Sequence, residues 1–212
     1  MLRLLTAAAA TALAFRAVLI AGTSTTDTDD HYKPANTTVK STSTKTVATA
    51  STGVSLTCTN STTSGKTPAT GLGLFIITPP KFNDGYTATG KPKPCTDSAR
   101  GTDVIATSGT WQAGFIDAAG DETAIEPNTG DRFRIIIPKA GAVDHNSFGC
   151  TITFAPAGPF ALTGSYNDKT TLTFNAKNMP ASVTGPSFCS PGNGSGSFQA
   201  VYTFSPGVSD AS

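Results

Sequence analysis

The stretch Phe160-Ala161-Leu162-Thr163-Gly164-Ser165-Tyr166-Asn167-Asp168-Lys169-Thr170-Thr171-Leu172-Thr173-Phe174 decides the fold class. Phe160 and Leu162 lead in at every second position, and Leu172 and Phe174 lead out the same way. A period of two puts alternate side chains on opposite faces of a strand. Tyr166-Asn167-Asp168-Lys169 between the two arms has the chemistry of a tight turn, so the stretch predicts a β-hairpin. The same alternation recurs outward from it. It marks Val54-Ser55-Leu56-Thr57-Cys58, then Trp111, Ala113 and Phe115, and then Phe133, Ile135 and Ile137 with Arg132 and Arg134 on the opposite face. Phe148, Cys150, Ile152 and Phe154 follow it, as do Phe198, Ala200, Tyr202 and Phe204, and Leu72 to Ile77 is a short apolar run. From residue 46 on, no window places apolar residues at i, i+3, i+4 and i+7, and the chain's 14 prolines and 21 glycines break it into short pieces. About eight to ten short strands predict an all-β domain: a β-sandwich, immunoglobulin-like or Greek-key, with a closed β-barrel as the alternative.

Composition narrows the function classes. The 212 residues carry a net charge of +1, charged residues make up 14%, and there are 36 threonines and 19 serines. Such a chain lacks the field that phosphate backbones and anionic membrane surfaces require, so no nucleic-acid partner is expected.

The N-terminus reads as an address. Met1-Leu2-Arg3 precedes a 12-residue apolar run from Leu4 to Phe15, interrupted by Arg16 and resumed at Ala17–Ala21. A bilayer-spanning helix needs about 20 consecutive apolar residues, so residues 1–23 are expected to be a signal peptide, with no stable membrane span after its removal. Residues 22–52 hold 15 Ser/Thr in 31 positions with no apolar period. Residues 24–45 are accordingly expected to be a flexible spacer, 46–206 the β-domain and 207–212 a C-terminal tail.

Four cysteines in an exported chain predict two disulfides. Three connectivities are possible. Cys58–Cys95 and Cys150–Cys189 are preferred, because each joins a strand cysteine to one in a Pro/Gly/Ser-rich loop, at separations of 37 and 39.

Catalytic constellations are hard to find. His31 falls in the expected spacer, and Asp144-His145 reads as a turn before the Phe148 strand. Gly192-Asn193-Gly194-Ser195-Gly196 misplaces the glycines of a nucleophile elbow and reads as a flexible loop. Asp117, Asp121, Glu122, Glu126 and Asp131 put five of the 14 acids within 15 residues. They read as a solvated loop first and as a calcium site second, since calcium takes hard oxygen ligands; no other cofactor is implied. Trp111, with Tyr86 or Tyr166, could stack on a sugar ring, although a single strand tryptophan usually fills a core.

Three phrases carry a resemblance. Thr67-Pro68-Ala69-Thr70-Gly71-Leu72-Gly73, Pro138-Lys139-Ala140-Gly141-Ala142-Val143 and Cys150-Thr151-Ile152-Thr153 together resemble small secreted four-cysteine β-rich proteins of actinobacteria. The resemblance implies export and β architecture and brings no functional residue with it. The expectation is a secreted or envelope-associated, non-enzymatic β-domain with a protein or glycan ligand at the cell surface. The alternatives are a secreted hydrolase or carbohydrate-acting protein using the acidic loop 117–131, and a protease inhibitor presenting Lys91-Pro92-Lys93-Pro94.

Overall fold

The structure is a computed structural model, and it describes residues 31–50, 53–71, 73–116, 132–167 and 169–211. The expected signal peptide, the first part of the spacer and the acid-rich segment 117–131 lie outside the described residues.

The described chain is all-β, with one short 3₁₀ turn at Ser187–Cys189. In order, the strands are β1 (His31–Lys33), β2 (Thr38–Ser43), β3 (Thr46–Thr49), β4 (Ser55–Cys58), β5 (Asn60–Lys66), β6 (Phe75–Ile77), β7 (Lys81–Asn83), β8 (Cys95–Asp97) and β9 (Thr102–Thr107). Then come β10 (Trp111–Ile116), β11 (Arg132–Ile137), β12 (Ala142–Asn146), β13 (Thr151–Phe154), β14 (Phe160–Asn167), β15 (Thr171–Thr184), β16 (Gly192–Ser205) and β17 (Ser209–Ala211). The hairpin that the sequence spells out forms β14 and the start of β15, with Asn167 opposite Thr171 and Gly164 opposite Phe174. Both disulfides, Cys58–Cys95 and Cys150–Cys189, are present. An all-β domain stapled in this way is consistent with the broad β-sandwich and Greek-key class.

The long antiparallel pair β15–β16 is the seam of the molecule. From β16 the pairings run through β3, β4, β8, β9, β12 and β13 back to β15. On the other side they run through β2, β5, β6, β10, β11 and β14 back to β15. A β-bulge between Ala176 and Met179 separates the two halves, with Asn178 in the left-handed region at φ 60°. Extra residues at a bulge bend a strand and let it change partners. Accordingly β15 pairs with β14 over Thr171–Phe174 and with β13 over Ala181–Thr184. The closed-barrel alternative is therefore corrected: the sheet divides at a shared seam and does not roll into one cylinder.

One contiguous core serves both halves. Phe115 meets Phe133 edge to face with ring centroids 5.2 Å apart, and Tyr166 meets Phe204 the same way at 5.5 Å. Such pairs add roughly 0.5–1.5 kcal/mol beyond their buried area.

Four further expectations are corrected. Residues 31–45 are not a spacer. β2 alternates outward Thr38, Lys40 and Thr42 with inward Val39, Ser41 and Ser43, and Tyr32 of β1 is fully buried. The expected tail from 207 instead anchors the end of the chain: Val208 is buried, its N–H donates to Lys169 O at 2.7 Å, and β17 pairs with β1. The Gly/Ser stretch after Cys189 is the first half of β16, paired with β15 from Met179↔Gly196 to Val183↔Gly192. Phe148 stands outside β13, half exposed in the turn that precedes it. No described helix is long and apolar enough to cross a membrane.

Candidate functional site

Period-two geometry brings three aspartates together. Asn146 is the cross-strand partner of Asp103, so Asp144, two residues along β12, is the diagonal neighbour of Asp103 on the same face. Cys95 is the partner of Asp103 on the other side, which places Asp97 two positions along that face of β8. The Asn146 side-chain amide donates to Asp97 Oδ2, and to Asp103 Oδ1 at 3.0 Å. Its Oδ1 accepts the Phe148 N–H at 2.6 Å. Gly101 N–H donates to Asp97 Oδ1 at 2.6 Å, and a side chain at 101 would strike Asp97 and the Phe148 ring, so glycine is the residue that fits.

Asp103 and Asp144 are 2% and 1% exposed, and each carboxyl feels the other as its neighbour on the shared face. Asp103 Oδ2 and Asp144 Oδ1 receive no hydrogen bond from any N–H or O–H of the described residues. Two buried carboxylates side by side repel each other, which favours the neutral form of one of them. Burial, and then the charge of Asp103, push Asp144 up to about 8. Asp103 is raised as well, first by burial, with the Asn146 amide opposing.

The cluster forms the polar end of a cleft of about 370 Å³. Its walls are apolar, built from Leu56, Ile152, Phe154 and Val183, with the Cys150–Cys189 disulfide among them. Phe148 and Phe188 also line it, and both are exposed, at 49% and 68%. The 3₁₀ turn explains Phe188: Cys189 is held inward by its disulfide, which leaves the preceding side chain outside. None of the described lining residues is a lysine, arginine or histidine.

The residues singled out from sequence lie elsewhere. Trp111 is buried, its Nε1–H donating to Ser108 O at 2.9 Å, and Tyr166 is buried with its hydroxyl 2.7 Å from Val208 O. Tyr86 is exposed in a turn bridged to Pro92. The three do not form a sugar platform, because the core claims the two larger apolar surfaces. Asp117, Asp121, Glu122, Glu126 and Asp131 lie outside the described residues, and with them the calcium expectation. Among the described residues no group of three or more His, Cys, Asp or Glu is arranged to hold a metal. His145 is exposed on β12, with Nδ1 3.4 Å from Thr151 Oγ1. The Lys91–Pro94 segment is exposed and tied across its turn by Lys93 N–H to Gly85 O at 2.9 Å.

The sequence does not single out Asp97, Asp103 or Asn146, and it places Asp144 in a turn. The available signal was the alternation Ala142-Val143-Asp144-His145-Asn146, which puts Asp144 and Asn146 on the face of buried Ala142. No family model, curated protein or solved structure matches the chain.

Proposed function

We propose that the protein is an exported, non-enzymatic binding module, sandwich-like and of immunoglobulin or Greek-key outline, that takes its ligand in the cleft between Phe148, Phe188 and the aspartate cluster. The exposed phenyl pair carries this reading. Large apolar side chains left in water at the mouth of an apolar cleft mark a binding site. Export fits the two disulfides, which persist in oxidising compartments, and fits the leader-like first 23 residues. A cell-envelope setting and kinship with the secreted actinobacterial four-cysteine proteins are part of the same proposal.

The test uses a neutral apolar fluorophore, N-phenyl-1-naphthylamine, titrated into the protein. Saturable binding that weakens at least about tenfold in Phe148→Ser/Phe188→Ser is the expected result. Equal binding by wild type and variant would remove the cleft from the account.

One observation favours a secreted hydrolase instead: Asp103 and Asp144 lie buried side by side at the cleft, and neighbouring carboxyls in unlike surroundings can act as acid and base. Turnover of a peptide or glycoside panel that disappears in Asp144→Asn would establish that reading in place of the first.

A further inference from the structure

The cleft has an unusual imbalance. Buried carboxyls are ordinarily matched by a lysine, an arginine or a metal, because ionised oxygen is costly away from water. Asp97 approaches from β8, Asp103 from β9 and Asp144 from β12, while the lining from β3, β4, β13 and β15 contributes apolar residues such as Ala48, Leu56, Ile152 and Val183. No cation is among the described lining residues. Asn146 already donates to both Asp97 and Asp103. Asp103 Oδ2 and Asp144 Oδ1, both more than nine-tenths buried, are the acceptors for which the described chain supplies no donor.

We propose that the polar end of the cleft is a site for an ammonium group carried on an apolar body, with the ammonium set between Asp103 and Asp144. This rests on the cleft being the binding site. Chemistry and shape agree on the ligand class. An ammonium brings a positive charge and several N–H donors to oxygens that lack donors, and such charge-assisted bonds are about twice as strong as neutral ones. The apolar body lies along Leu56 and Phe154 and leaves between Phe148 and Phe188, whose ring faces also attract cations. A simple anion is repelled by the same cluster. On binding, a proton leaves Asp144 for solvent while the ligand keeps its own, so up to one proton is released per complex below about pH 8 and less above it.

The experiment compares phenethylamine with 2-phenylethanol, which keeps the ring and spacer and replaces ammonium by hydroxyl. Both are titrated into the full protein by calorimetry and by displacement of N-phenyl-1-naphthylamine, at about pH 5 and about pH 8. The amine is expected to bind at least about tenfold tighter than the alcohol at the higher pH, with the margin shrinking at the lower pH and with buffer-dependent heats showing proton release. In Asp144→Asn, checked for fold by circular dichroism, the preference of amine over alcohol falls to within about twofold. Wild-type protein alone can overturn the proposal. If the alcohol binds wild-type protein as tightly as the amine does, the ammonium site is wrong, and loss of both in Phe148→Ser/Phe188→Ser leaves the cleft reading standing. If neither compound nor the fluorophore binds, both fall.

Discussion

Tyr32 sits in a run of threonines, charges and a proline, yet it is fully buried. Its ring stacks on Phe115 with centroids 5.6 Å apart and meets Phe75 edge-on at 5.3 Å. Its hydroxyl donates to Gly73 O at 3.2 Å and accepts the Phe115 N–H at 3.3 Å. Tyr32→Ala should therefore cost about 3–5 kcal/mol, and Tyr32→Phe about 1 kcal/mol, by urea unfolding. An unchanged midpoint in Tyr32→Ala would mean that β1 does not belong to the domain. Asp144 is the other decisive residue. Its folded-state affinity for a proton lies well above that of the unfolded chain, so between about pH 4 and pH 8 the folded protein holds a proton that the unfolded one has lost. Stability therefore falls as pH rises through that window, by up to about 1.4 kcal/mol per pH unit from this group, and levels off above it. Asp144→Asn should flatten that part of the profile; denaturant midpoints at intervals of pH for both proteins check it.

At the scale of elements, the alternating strands were readable and the small-residue strands were not. β10, β11 and the β14–β15 hairpin present Trp, Phe, Ile and Leu at every second position, and burial of those side chains fixes strand and register together. β2 alternates too, but between Thr or Lys outside and Val or Ser inside, a contrast too weak in hydropathy to see. The buried serines are tolerated because partners exist, such as Lys45 O for the Ser43 hydroxyl at 2.9 Å. The first half of β16 was hidden by its glycines. Gly196 is needed for close approach: a Cβ there would lie 2.5 Å from Thr49 O on β3. Gly196→Ala should destabilise by about 1–3 kcal/mol, whereas Gly73→Ala, with open space around it, should stay within about 0.5 kcal/mol. Thermal melts of the two variants test this, and equal melting temperatures would contradict the packing at β16. The aspartates were obscure for the same reason as β2. Val104 is exposed while its neighbour Asp103 points inward, so apolar patterning assigns that strand the wrong face.

At the scale of the whole molecule, the disulfides tie distant parts of the chain and the cleft depends on one of them. Each closes a loop of similar length, with separations of 37 and 39, so replacing either pair by serines should cost about 4 kcal/mol in the chain-entropy picture. Total stabilities are about 5–15 kcal/mol, so either loss is large. Removing Cys150–Cys189 should in addition weaken fluorophore binding, because Cys189 sets the position of Phe188, whereas removing Cys58–Cys95 should act on stability alone. The chemistry of the cleft rests on Asp144 keeping its proton beside Asp103, where none of the described lining residues is a cation. Carbon-13 NMR titration of the aspartate carboxyls reads this directly. One carboxyl of the pair should remain protonated at neutral pH and release its proton near pH 8; both ionising together near pH 4, like solvent-exposed aspartates, would contradict it.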